Sequence, residues 1–373
     1  MNSSPQRTKI ECVDLFCGAG GLTRGLIDSG ISVVAGIDTD PACAHPYAEN
    51  HPGVAFHQRD VTTLRADELR RWYGPKSVRV LAGCAPCQPF STYSNRYATV
   101  GTQRWRLLYQ FGRLVDESSP DIVTMENVPT VVRHSIFHEF VKTLQNSGYH
   151  VWHSVVDCAD YGLPQRRRRT VLLASRFGPV ELRPSREVKR RTVDDVLRSL
   201  PPVRHGSASK DDPLHAAATL SPLNLARINA SKPGGSWREW PAHLVAECHR
   251  RTTGSKYPSV YGRMKPDEPA PTLTTQFYGF GSGRFGHPRQ ARALSLREGA
   301  ILQGFPVDYS FLPSGGRVHF KILGRLIGNA VPVDLGRAIG EAIVEHVQAH
   351  LGGTSGSSVR RARVKQKPKR VHA

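Results

Sequence analysis

The chain has 373 residues, of which 39% are hydrophobic and 8% aromatic, a composition typical of a globular protein and not of a disordered one. Lys and Arg outnumber Asp and Glu by 51 to 31, and the net charge of +20 favours a polyanionic partner, with nucleic acid first. No apolar run approaches the roughly 20 residues of a membrane span, and Glu11 and Asp14 interrupt any signal-like core, so we expect a cytoplasmic protein.

The first half of the chain alternates short apolar strands with helical stretches. This pattern is typical of a doubly wound α/β fold, in which helices cover both faces of a parallel sheet. The predicted strands are residues 10–16, 32–37, 78–82, 122–125, 151–156 and 170–174. The predicted helices between them are residues 21–28, 41–50 and 105–117.

After about residue 176 the sequence becomes rich in Pro, Arg, Ser and Gly, and regular signals return only near residue 292. We therefore expect a second, irregular domain, with Trp237, Trp240 and Tyr257 in its core. Thr192 and Ser295 each begin a capping box, which predicts a helix after each of them. Residues 332–350 have the pattern of a long amphipathic helix.

The seven cysteines are scattered and odd in number, and without a secretion signal they do not predict a disulfide framework. Cys84 and Cys87 form a CxxC pair, but no second pair or accompanying histidine completes a metal site. We therefore expect no bound metal. One cysteine of the pair remains a candidate nucleophile.

A glycine-rich loop at residues 14–21 joins the first predicted strand to the first predicted helix. Glycines there let the backbone approach a ligand closely, but Thr23 replaces the third glycine of the dinucleotide fingerprint, which counts against a nicotinamide or flavin. Asp38 ends the second strand, where a carboxylate can accept hydrogen bonds from ribose hydroxyls. Asp60 follows the next strand position and can accept from an adenine amino group. Helix capping or a surface turn would also explain these two carboxylates.

Cys87 follows the predicted strand 78–82, and Glu126 follows the strand 122–125. Both side chains should therefore emerge at the carboxyl edge of the sheet, beside a cofactor crevice. A thiolate nucleophile and a carboxyl group that gives a proton to a ring nitrogen are suited to covalent catalysis. The arginines at 166–169 are ordinarily a solvated face, but beside a reactive pocket they predict a clamp for phosphate or a base oxygen.

Together these elements resemble the ordered motif series of the DNA cytosine-5 methyltransferases, in the bacterial or phage modification-enzyme form. The series consists of the glycine loop, Pro86-Cys87-Gln88, Glu126-Asn127-Val128, Gln165-Arg166-Arg167-Arg168-Arg169, residues 292–306, and Gly328-Asn329-Ala330-Val331-Pro332. The motifs stand in the family's order and cover about residues 10–176 and 258–345.

The resemblance implies a domain organisation. A Rossmann-like, S-adenosylmethionine-dependent methyltransferase domain takes residues 1–176 and 292–350, with the final helix returning to complete it. Residues 177–291 match the smaller, irregular target-recognition domain. Residues 351–373 are a basic tail that we expect to be disordered.

The resemblance also implies a role for each matching position. Cys87 matches the nucleophile and Glu126 the acid at N3 of the base, while Arg169 matches a contact to the cytosine oxygen that Arg167 supports. The positions that match the cofactor pocket are Phe16, Gly18, Gly20, Gly21, Asp38, Thr39, Asp60, Val61, Leu107 and Asn329. Those that match DNA contacts are Gln88, Ser91, Arg167 and Thr272.

Three positions depart from the family's pattern. Asp38 replaces the more usual glutamate, which shortens the reach to the ribose by one methylene. Thr39 stands where a larger side chain often lies against the adenine, and Arg168 stands where glutamate is common.

The implied reaction transfers a methyl group from S-adenosylmethionine to carbon 5 of a cytosine flipped out of a specific duplex DNA sequence, through an adduct between Cys87 and carbon 6. We expect a monomer that acts beside a partner restriction endonuclease or as an orphan methylase. Two alternatives stay open: a transfer-RNA cytosine-5 methyltransferase on the same scaffold, and a non-catalytic, sequence-specific DNA-binding protein. The recognition region and the charge favour DNA, and the presence of both Cys87 and Glu126 favours an enzyme.

Overall fold

The computed structural model describes residues 8–86, 106–184 and 187–351. Its centre is one seven-stranded sheet, formed by β1 (Ile10–Leu15), β2 (Ser32–Asp38), β3 (Ala55–Gln58), β4 (Val78–Gly83), β5 (Ile122–Asn127), β6 (His150–Asp157) and β7 (Arg168–Ser175). The strand order is β3-β2-β1-β4-β5-β7-β6. All six strands predicted with bounds are therefore confirmed, and β3 lies at the strand position expected just before Asp60.

The α-helices of the described residues are α1 (Gly21–Asp28), α2 (Ala44–Asn50), α3 (Ala66–Trp72), α4 (Arg106–Ser118), α5 (Ser135–Asn146), α6 (Val193–Leu197), α7 (Pro222–Asn229), α8 (Glu247–Arg250), α9 (Leu296–Leu302), α10 (Phe320–Asn329) and α11 (Val333–Leu351). The capping boxes of Thr192 and Ser295 open α6 and α9 as predicted. The predicted helix 41–50 is divided into a short 3₁₀ turn, Pro41–Cys43, and α2.

The sheet is covered on both faces because its side chains alternate between two apolar layers. In β1, Val13 and Leu15 pack in the layer that contains Phe111 of α4. Cys12 of the same strand packs in the opposite layer, with Leu26 of α1. Helix α11 also lies in that second layer and packs directly against α1, so the last helix of the described chain returns to the sheet.

One detail of the sheet prediction was wrong, because the sheet is mixed and not parallel throughout. Strand β7 is antiparallel to both of its neighbours, β5 and β6. The connection from β6 to β7 contains only a short 3₁₀ turn, Cys158–Tyr161. A parallel neighbour would need a crossover connection of about a dozen residues or more, usually with a helix, and this link is shorter.

The region between β7 and α9 has no strand within the described residues and is held together by isolated bridges and short helices. A small apolar cluster there contains Trp237 and Trp240, which are buried as predicted. Tyr257 was wrongly expected in this core. Its side chain is 51% exposed, and only its carbonyl oxygen joins the cluster, by accepting a hydrogen bond from Trp237 Nε1.

The described part of the chain contains neither a membrane-spanning helix nor a metal-binding cluster. No helix there combines the length and the apolar character that a membrane crossing requires. No group of three or more His, Cys, Asp or Glu side chains in the same part of the chain is arranged to hold a metal ion.

Candidate active site

One edge of the sheet carries most of the predicted site residues that the structure describes. Phe16 follows β1, Asp38 ends β2, Cys84 follows β4, and Glu126 lies at the end of β5. Arg169 reaches the same edge from the other direction, because β7 is antiparallel and begins where β5 ends. The register pairs Glu126 with a residue two positions beyond Arg169, so the two side chains meet across neighbouring strands.

The carboxylate of Glu126 is held on both oxygens. Its side chain is nearly buried, and Nε of Arg169 lies 2.7 Å from Oε1. The thiol of Cys84 donates to Oε2 across 2.9 Å. A carboxyl group fixed in this way has a defined orientation, which is what proton transfer to a substrate atom requires.

Asn127, the next residue along β5, ties this strand to the loop after β4. Its Nδ2 donates to the carbonyl of Ala85 at 3.0 Å, and its Oδ1 accepts from the backbone N of Val128 at 2.9 Å. Asn127 therefore fixes the loop after β4 at Ala85. The predicted nucleophile Cys87 and the predicted DNA contacts Gln88 and Ser91 lie outside the described residues.

Arg167 does not reach Glu126 in the way that Arg169 does. Its side chain is 2% exposed, and its guanidinium donates to the carbonyls of Leu273 at 3.0 Å and Gly328 at 3.1 Å. A contact with cytosine or DNA would need an exposed guanidinium. Arg167 therefore links β7 to the irregular region through Leu273 and to the end of α10 through Gly328.

The glycine loop and Asp38 are joined by hydrogen bonds. The backbone N of Gly18 donates to Asp38 Oδ2, and the backbone N of Asp40 donates to Oδ1, both at 2.9 Å. Burial raises the pKa of Asp38 above its ordinary value. Phe16 has a φ of 59°, a left-handed conformation that costs a non-glycine residue about 1–2 kcal/mol and that is often found at binding sites.

The loop is packed so closely that two positions require glycine. Gly20 has a φ of 88°, and a Cβ there would lie 2.2 Å from Cε1 of His51. A Cβ on Gly21 would lie 2.2 Å from the carbonyl oxygen of Val331. Tyr309 adds a second tether, since its hydroxyl donates to the carbonyl of Ala19 at 2.5 Å.

The remaining cofactor candidates divide into apolar and polar groups. Val61 is buried in the apolar layer on one face of the sheet, and Phe16 and Leu107 are partly buried against that same layer. Asp60 caps the turn that follows it, with Oδ1 accepting from the backbone N of Thr62 at 2.8 Å. Thr39 and Asn329 are exposed, the latter at the end of α10.

These residues fit a nucleoside. A Cβ built on Gly18 would meet nothing within 4 Å, so the loop has open space beside it for a ligand. The Asp38 carboxylate borders that loop, and each of its oxygens can accept more than one hydrogen bond. Phe16 is half-buried, and an aromatic side chain of this kind can contact a purine.

A buried pair of amides, not predicted from the sequence, connects the arginine element to the carboxyl-terminal motifs. Nε2 of Gln165 donates to the carbonyl of Leu302 at 2.9 Å and to Oε1 of Gln303 at 2.8 Å, while Oε1 of Gln165 accepts from the backbone N of Leu273 at 2.8 Å. Nearby, the exposed Thr272 donates its hydroxyl to the carbonyl of Arg166 at 2.7 Å.

Sequence reasoning also missed Asn127, Tyr309 and the contact of Cys84 with Glu126. Asn127 lies within the motif Glu126-Asn127-Val128, but no role was predicted for it. The sequence around Tyr309 does not indicate its role, because Ala19, to which it donates a hydrogen bond, lies far away in the chain.

A mixed seven-stranded α/β sheet with this strand order is the fold of the cytosine-5 methyltransferases. The chain belongs to the C-5 cytosine-specific DNA methylase family, whose model matches residues 10–345. It is accordingly a DNA (cytosine-5-)-methyltransferase, and the family takes its methyl group from S-adenosylmethionine. The family, the fold class, the enzyme class and the methyl donor predicted from the sequence are confirmed.

Individual relatives agree with this assignment. The chain is 49% identical to the type II methylase M.HgiDII of Herpetosiphon aurantiacus, over 89% of this chain and 94% of that protein. It is 30% identical to the type II methyltransferase M1.HphI of Haemophilus parahaemolyticus, over 89% and 86% respectively. A prophage-encoded E. coli chain described as a DNA modification methyltransferase has the same fold, with a TM-score of 0.71 at 21% identity over 91% of this chain and 100% of that one.

Proposed function

We propose that this enzyme is a type II modification methyltransferase, which methylates one cytosine in a specific duplex DNA sequence and thereby protects that sequence from a partner restriction endonuclease. The similarity to M.HgiDII, at 49% identity over nearly the full length of both chains, carries this proposal. It favours DNA over transfer RNA and an enzyme over a non-catalytic DNA-binding protein. The enzyme acts as a monomer on DNA in the cytoplasm.

The chemistry proposed for this edge of the sheet begins with Cys87. Carbon 5 of cytosine is a poor nucleophile, and addition of the Cys87 thiolate to carbon 6 breaks the aromaticity of the ring. Glu126 delivers a proton to N3 as the sulfur–carbon bond forms, which leaves an enamine with a nucleophilic carbon 5. S-adenosylmethionine, when bound, supplies an electrophilic methyl group. Once carbon 5 carries the methyl group, a base removes the carbon 5 proton, the Cys87 thiolate is expelled, and return of the N3 proton to Glu126 restores the neutral aromatic ring.

The ion pair of Glu126 with Arg169 supports these roles. Arg169 holds one carboxylate oxygen at 2.7 Å, and its side chain is still 12% exposed at the edge where a flipped base would enter. We assign Arg169 to the cytosine oxygen and to the orientation of Glu126. Arg167, buried among backbone carbonyls, serves to position β7 against the end of α10.

The cofactor pocket that we propose is built from Phe16, Gly18, Gly20, Gly21, Asp38, Thr39, Asp60, Val61, Leu107 and Asn329. Asp38 accepts from the ribose hydroxyls, and Asp60 accepts from the adenine amino group. The apolar residues contact the purine, and the glycines let the backbone approach the ligand.

DNA binding rests on charge and on the irregular region. Residues 177–291 form the proposed target-recognition domain, between the catalytic segments 1–176 and 292–350. Gln88, Ser91 and the exposed Thr272 contact the DNA near the flipped base. The net charge of +20 provides the attraction to phosphates, which helps to offset the few kcal/mol of unstacking.

Bisulfite sequencing of plasmid DNA from cells that express the enzyme tests this function. We expect full methylation at one cytosine of one short sequence, and none in cells that express Cys87→Ala. Methylation without sequence preference, or labelled methyl transfer to transfer RNA instead of duplex DNA, would contradict the proposal.

A further inference from the structure

A second cysteine, Cys84, lies at the catalytic edge, and neither the motif nor the proposed chemistry gives it a role. It is the first residue after β4, and its backbone N donates to the carbonyl of Leu15 at 3.3 Å, which extends the strand pairing by one residue. Strand β4 pairs in parallel with β5, and Gly83 is opposite Met125. Cys84 follows Gly83 and Glu126 follows Met125, so Cys84 and Glu126 are the next two residues in this register.

The side chains of these two residues touch. The sulfur of Cys84 lies 2.9 Å from Oε2 of Glu126, within hydrogen-bonding distance. In this contact the thiol is the donor and the carboxylate oxygen is the acceptor. This contact distinguishes Cys84 from Cys12, which lies fully buried inside the same sheet.

Without Cys84, Glu126 would retain Arg169 on Oε1 and could turn about its own side-chain torsions. Rotation would move the oxygen that carries the proton away from N3 of the base. Each carboxylate oxygen has two lone-pair sites, so an oxygen that accepts from the thiol can still face a substrate atom. A neutral donor at Oε2 therefore fixes the orientation of the carboxyl group without adding a second positive charge.

We propose that Cys84 is a positioning residue, whose thiol holds the carboxyl group of Glu126 in the orientation that serves N3 of the flipped cytosine. This inference rests on the proposed role of Glu126. The positioning role requires a hydrogen-bond donor at position 84. Serine can therefore replace cysteine there, whereas alanine and valine cannot.

The test measures single-turnover methyl transfer at saturating DNA and S-adenosylmethionine. Cys84→Ala and Cys84→Val should each lower the rate by roughly tenfold to a hundredfold, the usual effect of losing a hydrogen bond to a charged group. The affinity for S-adenosylmethionine should not change. Cys84→Ser should stay within about threefold of the wild type, because it keeps a donor. Cys12→Ala is the matched control: it removes a buried thiol and should lower stability without changing the rate.

A double-mutant cycle separates positioning from general packing. In a Glu126→Ala background the thiol has no acceptor, so Cys84→Ala should cause no further loss. An equal loss in both backgrounds, a wild-type rate for both donor-less variants, or a Cys84→Ser variant as slow as Cys84→Ala would overturn the inference. A wild-type rate for Glu126→Ala would instead remove the proposed role of Glu126 itself. A slow Glu126→Ala with a fast Cys84→Ala removes only the role of Cys84.

Discussion

Nε of Arg169 lies 2.7 Å from Oε1 of Glu126, and this contact joins two antiparallel strands at the catalytic edge of the sheet. Arg169→Ala should lower the single-turnover rate by roughly tenfold or more, because the carboxyl group loses its charged partner. Arg169→Lys should restore only part of the rate, since lysine lacks the planar guanidinium.

Arg168→Ala is the control for this pair. Arg168 is the exposed neighbour of Arg169 in β7, and its side chain points away from Glu126 by strand alternation. At saturating DNA its removal should leave the rate near that of the wild type. Equal losses for the two alanine variants would mean that the run of arginines acts only through its charge.

Asp38 provides a test of the cofactor pocket. Asp38→Ala should weaken S-adenosylmethionine binding by roughly tenfold to a hundredfold, because the ribose hydroxyls lose a charged acceptor and Gly18 loses its partner. Asp38→Glu should bind within several-fold of the wild type. Isothermal titration calorimetry measures both, with the exposed Asp67→Asn on α3 as the control. Unchanged affinity in Asp38→Ala would exclude this carboxylate from the pocket.

Asp14, buried near the end of β1, should make stability depend on pH. Its carboxylate accepts from the hydroxyl of Thr23 at 2.7 Å, and burial raises the pKa of Asp14 to about 7, with a smaller contribution from Asp38. In the unfolded chain an ordinary aspartate has a pKa of about 3.9. Between these values the folded state binds more protons, so this stabilisation is complete at low pH and is lost as pH rises towards 7.

Urea unfolding of the wild type and Asp14→Asn measures this effect. From pH 5 to pH 8 the wild type should lose on the order of 2 kcal/mol relative to the variant, because the asparagine cannot ionise. Titrating groups that do not interact with Asp14 cancel in the comparison, whereas Asp38 is coupled to Asp14 and its contribution belongs to the measured difference. Parallel pH profiles for the two proteins would show that Asp14 does not titrate in this range.

Arg292 and Glu298 form a fully buried ion pair that holds the start of α9. Both side chains are 1% exposed, and two hydrogen bonds of 2.7 and 2.6 Å join them. Burial alone would raise the pKa of Glu298, but Arg292 keeps it below the ordinary value. Glu298→Ala should lower the free energy of unfolding by about 3–5 kcal/mol, since it leaves a buried guanidinium unpaired. A loss no greater than that of Asp67→Asn, which weakens two exposed ion pairs, would contradict this.

The positions of Asp38 and Glu126 follow from the sequence because each ends a strand, and parallel strands share a carboxyl edge. Arg169 was assigned to the same site by its motif alone, since a parallel β7 would have placed it at the opposite edge. The contacts of Cys84 and of the Gln165–Gln303 pair depend on strand register and on segments far apart in the chain. The irregular region resisted prediction because its turns and bridges have no repeating period.

The proposed reaction depends on the attack of Cys87 on a flipped cytosine while Glu126 assists at N3. Duplex DNA that carries 5-fluorocytosine at the target position tests it most directly, because fluorine at carbon 5 prevents the final elimination and traps the adduct. With S-adenosylmethionine present, we predict a protein–DNA complex that survives denaturing electrophoresis. The modified peptide should contain Cys87, and the Cys87→Ala variant should form no such complex. An adduct on another residue, or efficient methylation by Cys87→Ala, would contradict the account.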